Sequence, residues 1–228
     1  MFVPTRCLRG EKIEGFEEFD AASLFQKLVL KENERPWSRK KNCYHPSAMS
    51  GCKRAIYYDR IGTEPKACWD LQTLMYFLLG HALHDMVQDK FLAEIPGFKS
   101  EITVDFPALK IYGHTDGVFS EEDWLLEIKT MGASSFNSLI RPKKEHVEQV
   151  HCYMAGTDIP RAQIVYVNRD NGQIRGFKVY FDDEVWQGVV STIAEVEEHV
   201  ERNEPPAKEI SRWTCRTCKF KWECKPDI

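Results

Sequence analysis

Ile111-Tyr112-Gly113-His114-Thr115-Asp116-Gly117-Val118-Phe119-Ser120-Glu121-Glu122-Asp123-Trp124-Leu125-Leu126-Glu127-Ile128-Lys129-Thr130 is the stretch that decides the fold. Residues 125 to 130 read as a strand. Alternation along it places Glu127 and Lys129 on one face and Ile128 on the other. Residues 108 to 119 read as a partner strand, and the short polar link Ser120 to Asp123 reads as the turn of a hairpin. The hairpin is expected to set Asp116 beside Glu127, so that two carboxylates face one point with the Lys129 ammonium next to them.

Two close carboxylates repel one another unless one is protonated or a cation lies between them. Asp116 is flanked by apolar strand residues, where an unpaired carboxylate is costly. The oxygen donors favour Mg²⁺ or Mn²⁺. Lys129 adds a positive charge where a phosphoryl oxygen or an attacking water can use it. The alternative for a lone Glu-x-Lys is a surface ion pair on a polar strand.

Working outward, residues 70 to 94 form the longest helical stretch, stopped by Pro96-Gly97. Gly80 and His84 lie one turn apart on one face of it, with His81 nearby. Downstream, a helix is expected from Lys143 to Ala155, with Pro142 at its first position and Val147, Val150 and Met154 as its apolar stripe. Gln149 and Tyr153 share a face of this helix. A strand at 161–168, the turn 169–172, a second strand at 176–181 and a helix capped by Asp182 and running to about residue 201 complete this half. In that last helix Val185, Val189, Ile193, Val196 and Val200 form the inner side, and Pro205-Pro206 ends it.

Upstream, a short helix is expected over 19–30, capped by Asp20, with Phe19, Ala22, Leu24, Phe25 and Leu28 apolar. Residues 31 to 42, with Arg39, Lys40 and Lys41, read as a solvated loop rather than a DNA-contacting segment. Ser47 or Ser50 is placed to cap a helix running to Arg60, stopped at Gly62. The tail carries Cys215-x-x-Cys218 and, after five intervening residues, Cys224. Such a triplet is not core filler. Cys52 is the candidate for a fourth ligand, ahead of Cys43, while Cys7, Cys68 and Cys152 have no motif around them. Four thiolates suit either [4Fe–4S] or tetrahedral Zn²⁺, and spacing does not separate the two.

Asp116 with Glu127-Ile128-Lys129 resembles the motif of the PD-(D/E)xK nuclease superfamily. The branch it is most similar to contains the RecB-type nuclease domains and the CRISPR-associated Cas4 exonucleases. The ordered set of motifs that carries the resemblance spans roughly residues 44 to 226. Residues 44 to 62 resemble the entry segment of the Cas4 group, in which the cysteine at position 52 is the first cluster ligand. Gly80-x-x-x-His84 resembles the first catalytic motif, which makes His84 a metal ligand. Gln149-x-x-x-Tyr153 resembles the last core motif, over the active site and near the DNA backbone.

The resemblance implies an α/β chain with a restriction-endonuclease-like core, a mixed β-sheet flanked by helices. An iron–sulfur staple would join residue 52 to the C-terminal tail. It implies that Asp116, Glu127, His84 and the Ile128 carbonyl hold Mg²⁺ or Mn²⁺, and that Lys129 positions the water or stabilises the pentavalent state. Cys52, Cys215, Cys218 and Cys224 would hold a [4Fe–4S] cluster. Lys143, Lys144, Gln149 and Tyr153 would contact DNA, through its backbone and with little sequence preference. The implied activity is exonucleolytic hydrolysis of single-stranded DNA or DNA ends, in CRISPR spacer acquisition, recombination or repair, with the proteins of those processes as possible partners. The alternatives are a non-catalytic DNA-binding module built on a zinc site and a site-specific endonuclease.

The bounds of the chain agree. Its 228 residues fit one domain over 1–228, with an N-terminal helical extension at 1–43 and a cysteine-rich segment at 205–228. Hydrophobic residues make up 43%, which excludes a disordered chain. No apolar run spans a membrane, and residues 1 to 6 do not read as a signal peptide. Eight cysteines without a secretory signal point to a reducing, cytoplasmic setting. The net charge of −4 restricts nucleic-acid contact to a local basic patch.

Overall fold

The computed structural model of the chain describes residues 20–34, 39–66, 69–208, 215 and 218–224. Phe19, Cys7 and Cys68 lie outside the described residues, as does most of 205–228 beyond Lys208. The centre is a five-stranded mixed sheet in the order β1-β2-β3-β4-β5. Its strands are β1 (Phe98–Phe106), β2 (Ile111–Phe119), β3 (Trp124–Met131), β4 (Arg161–Asn168) and β5 (Ile174–Tyr180). Neighbours run antiparallel except β3 and β4, which pair in parallel from Leu125–Ala162 to Met131–Asn168. A parallel pair requires a crossover. It is supplied by α4 (Ala133–Asn137) and α5 (Lys144–Thr157).

Alternation along β3 divides its side chains between two faces. Leu125 packs with Val118, Ala162, Ile164 and Tyr166 against Val150, Tyr153 and Met154 of α5. Leu126 and Ile128 face the other way, with Val167, against Leu83, Val87 and Leu92. Those residues belong to α3 (Leu71–Asp85) and its continuation, a π-helical turn over Met86–Phe91 and a 3-10 turn over Leu92–Glu94. A third cluster joins α2 (Lys53–Arg60) to α6 (Asp183–Arg202) through Ile56, Tyr57, Val189, Ile193 and Val196. No helix of the described residues is long and apolar enough to cross a membrane.

Several expectations are met. Asp20 and Asp182 cap α1 (Ala21–Leu30) and α6 by accepting backbone N–H bonds, and Asp70, where the long helical stretch is expected to begin, caps α3 in the same way. Gly62 lies at φ 75 just past α2, a left-handed conformation that suits glycine at a helix end. Other expectations are corrected. β2 begins at Ile111, because Pro107–Leu109 is a 3-10 turn. The start of α2 is Cys52, whose side chain makes no capping bond, since Pro46–Ala48 forms a separate 3-10 turn. Pro142 stands outside α5, whose N-cap is Lys143. In α1 the buried residue is Val29, whereas Phe25 and Leu28 are more than half exposed. α6 stops at Asn203, in the left-handed region, before the two prolines. β1 was not anticipated, because the polar run Lys99-Ser100-Glu101 masks the alternation of Ile102, Val104 and Phe106.

Candidate active site

The hairpin expected between β2 and β3 forms, but it pairs only from Phe119–Trp124 to Gly117–Leu126. Beyond that point the strands diverge. Ile111, at the start of β2, takes Tyr44 as its partner instead. The fork between the strands opens into a cavity of about 750 Å³ lined by His84, Asp116, Glu127, Lys129 and Tyr153, with residues 45–47 at its margin. That margin is tightly closed at Gly113. A Cβ there would meet Pro46 Cδ at 2.9 Å, so the close approach requires glycine.

Asp116 is contacted at both carboxylate oxygens, Glu127 at one. Asp116 Oδ2 accepts from the Ile128 N–H at 2.5 Å, standing in for the lost ladder bond. Its Oδ1 lies 3.4 Å from His84 Nδ1. Glu127 Oε1 accepts from Lys129 Nζ at 2.5 Å and from Gln149 Nε2 at 2.8 Å. Its Oε2 is buried with no hydrogen-bond partner. Burial, and then the Asp116 charge, pushes Glu127 well above the usual carboxylate range. For His84, burial works to lower the pKa, but Asp116 and then Glu127 outweigh it, and the net shift is upward.

Gln149 and Tyr153 are both buried, at 4% exposure each, and not a solvated helix face. The second amide hydrogen of Gln149 reaches Tyr153 Oη at 3.0 Å. Both donors of its NH₂ group are thus engaged, and none is left for a phosphate. The Tyr153 hydroxyl proton stays available, and burial, then Glu127, pushes its pKa upward. Ile128 presents its side chain to the α3 face, where it is 1% exposed.

Lys143 and Lys144 are elsewhere. They line a separate hollow of about 990 Å³ with Arg141 and Glu184. Lys144 pairs with Glu148 at 3.3 Å. In their place the 39–40 segment comes to the acidic cavity: Arg39 and Lys40 line it. Lys40 lies 3.9 Å above the Tyr112 ring and bonds Asp105 at 3.1 Å. The segment expected to be a solvated loop therefore sits at the mouth of the site, because Tyr44 zips onto β2 directly after it. His81 also lines the cavity but is exposed.

Sequence reasoning also missed Gln88, which is 4% exposed and donates to the Asp116 carbonyl at 3.0 Å. Its spacing of four from His84 was the available signal. His146 was missed too. Its Nδ1 is hydrogen-bonded to the Tyr166 hydroxyl at 2.8 Å, and that hydroxyl also accepts from the Lys143 N–H. Burial, then Lys129 and Lys143, lowers its pKa to about 3, so His146 is neutral beside the Lys129 ammonium.

The cysteines of the expected staple are all free. Burial raises the pKa of Cys218, and Cys52 and Cys215 add to the rise. Burial also raises Cys224, where Cys218 and Cys52 again contribute. Cys43 is apart from them, buried with its Sγ 3.4 Å from the Lys40 carbonyl, and Cys152 is fully buried in the core. The join of α2 to the tail is made by other contacts. Phe220 is 1% exposed and packs on Tyr58, and Lys219 bonds both carboxylate oxygens of Asp59 at 2.9 Å.

Among the described residues no group of three or more His, Cys, Asp or Glu side chains meets the geometry of a metal cage. A divalent cation nonetheless fits the donors of the fork. Two carboxylates and an imidazole are donors that such an ion takes: His84, Asp116 and Glu127 line one cavity, His84 Nδ1 lies 3.4 Å from Asp116 Oδ1, and Glu127 Oε2 is buried without a hydrogen-bond partner.

No family model and no curated protein matches this chain. Among solved structures, SSO0001 aligns over 91% of this chain and 97% of its own, at 18% identity and a TM-score of 0.59. The alkaline exonuclease LHK-Exo from Laribacter hongkongensis aligns over 77% of this chain and 95% of its own, at 17% identity and a TM-score of 0.54. LHK-Exo in complex with dAMP aligns at 18% identity over the same 77% and 95%, with a TM-score of 0.54. What the chain shares with these proteins is the fold: a mixed α/β sheet flanked by helices.

Proposed function

We propose that the chain is a divalent-metal-dependent deoxyribonuclease that hydrolyses DNA phosphodiester bonds exonucleolytically, on single strands or free ends, in the manner of the RecB and Cas4 enzymes. The observation that carries this reading is the buried Glu127, its Oε2 without a hydrogen-bond partner, lining one cavity with Asp116, His84 and Lys129. An apolar residue would be cheaper there unless a cation completes the group. That LHK-Exo shares the fold and was captured with a deoxynucleoside monophosphate supports DNA as the substrate class.

In this reading Asp116, Glu127, His84 and the Ile128 carbonyl hold Mg²⁺ or Mn²⁺. Such an ion, when bound, activates water and offsets charge on the phosphate. Lys129 orients the water against phosphorus and stabilises the extra negative charge as the new P–O bond forms and the ester P–O bond breaks. Gln149 holds Glu127 in place, and the Tyr153 hydroxyl donates to a phosphate oxygen. Arg39 and Lys40 lead the backbone into the cavity, and Lys143 and Lys144 contact it further along, without reading bases. Cys52, Cys215, Cys218 and Cys224 hold a [4Fe–4S] cluster over the packed joint between α2 and the tail.

The test is degradation of end-labelled single-stranded and duplex DNA with Mg²⁺ or Mn²⁺. The expected result is progressive shortening from ends, stopped by EDTA and by Asp116→Asn. Activity that survives both sinks the reading, and metal-independent DNA binding without cleavage would favour a zinc-built binding module.

A further inference from the structure

Asp116 stands where both ladders of its strand lapse. Toward β1 the register pairs Ser100 with Gly117 and Ile102 with Thr115, and passes over Glu101 and Asp116. Glu101 has φ 50, in the left-handed region that non-glycine residues seldom adopt. Toward β3 the pairing ends at Gly117–Leu126. A carbonyl inside a sheet still needs a donor, and that of Asp116 has the Gln88 side chain, with Nε2 donating at 3.0 Å.

Gln88 reaches it from the same helical rod that supplies His84. Between the two the α-helix widens into the π-turn Met86–Phe91, a feature that recurs at functional sites. Successive turns of the rod thus grip one residue twice, His84 at the carboxylate and Gln88 at the main chain. The Ile128 N–H makes the third hold. Neighbouring rod residues that face the sheet are apolar: Leu83, Val87 and Leu92. Packing alone therefore does not call for an amide at position 88.

We propose that Gln88 is a positioning residue: its amide replaces the missing ladder contact at Asp116 and fixes where that carboxylate is presented to a divalent cation. This inference rests on the nuclease reading above. It assigns Gln88 no contact with substrate. Outer partners that orient a metal-binding carboxylate typically govern about 10- to 100-fold of the affinity.

The test is Mn²⁺ binding by the full chain, followed by the EPR signal of free Mn²⁺, with circular dichroism alongside. Gln88→Met keeps the length without a donor, and Gln88→Glu keeps the shape with an acceptor. Both are expected to weaken Mn²⁺ binding by about tenfold or more while remaining folded. Wild-type affinity in Gln88→Met, even with a lowered melting temperature, reduces the residue to a structural one and overturns the proposal. Should neither variant fold, the unmutated chain decides it. The Gln88 side-chain amide cross-peak is expected to shift as Mg²⁺ saturates, and a peak indifferent to Mg²⁺ overturns the proposal. Failure of the nuclease reading looks different: no Mn²⁺ binding by the wild type, or undiminished binding by Asp116→Asn.

Discussion

Gln149 and Glu127 are joined by a 2.8 Å hydrogen bond that ties α5 to the carboxylate in the middle of β3. The other oxygen of Glu127 is left buried and alone. Gln149 and Lys129 together thus hold Oε1 and set the orientation of the Glu127 carboxylate.

Gln149→Leu is therefore expected to lower cleavage about 10- to 100-fold, with Mn²⁺ affinity falling in parallel and DNA affinity measured in EDTA unchanged. If DNA affinity falls while Mn²⁺ affinity holds, Gln149 touches the phosphate backbone and the geometry has been misread.

Neutralising Glu127 should stabilise the metal-free chain. Its folded pKa is raised above the unfolded value, so the folded state carries a penalty once the unfolded group ionises. The penalty is absent below the ordinary glutamate range. It grows as pH rises through that range and is complete above the folded pKa. Melting temperatures in EDTA should fall over that interval in the wild type and stay flatter in Glu127→Gln, and Mg²⁺ should remove the difference. A Glu127→Gln chain that melts below the wild type in EDTA across the whole range contradicts this account.

His84 is protonated more readily than a free histidine, because Asp116 and Glu127 together outweigh its burial. A metal must compete with that proton, so Mn²⁺ affinity should rise as pH climbs through the His84 pKa. His84→Ala should flatten this profile and erode the preference for Mn²⁺ over the harder Mg²⁺. Calorimetric titrations at several pH values measure both. Superimposable profiles for the two proteins would remove His84 from the ligand set and turn attention to His81.

The tail is expected to stay docked without its cluster. Cys52→Ser should bleach a brown, anaerobically purified protein, whereas Cys43→Ser should not. Phe220→Ala should destabilise the chain by about 3 kcal/mol whether or not iron is present, since it empties a buried aromatic site. Colourless wild-type protein with one zinc per chain would replace the cluster but keep the four thiols. Colour retained in Cys52→Ser and lost in Cys43→Ser would reassign the fourth ligand.

Much of the architecture was written in local pattern. Alternation fixed the two faces of β3, Asp20 and Asp182 announced two helix starts, and the polar link 120–123 announced the hairpin. These depend on neighbours in the chain, which is why they can be read from it. The carboxylate pair and its lysine were legible for the same reason, since turn and strand period together bring Asp116 to Glu127.

What tertiary structure alone decided is how that pair is finished. The divergence of β2 from β3 depends on Tyr44, some seventy residues upstream, occupying the place that β3 vacates. That capture carries Arg39 and Lys40 to the mouth of the cavity, although they read as solvated loop. The inward turn of Gln149 depends on α5 packing flat on the sheet, and the grip of Gln88 on Asp116 depends on a π-turn that no propensity signals. Hydrogen bonds between distant segments form wherever folding leaves a buried polar group without a ladder partner. A sequence names the groups that can serve, and only the folded chain determines which of them are left in need.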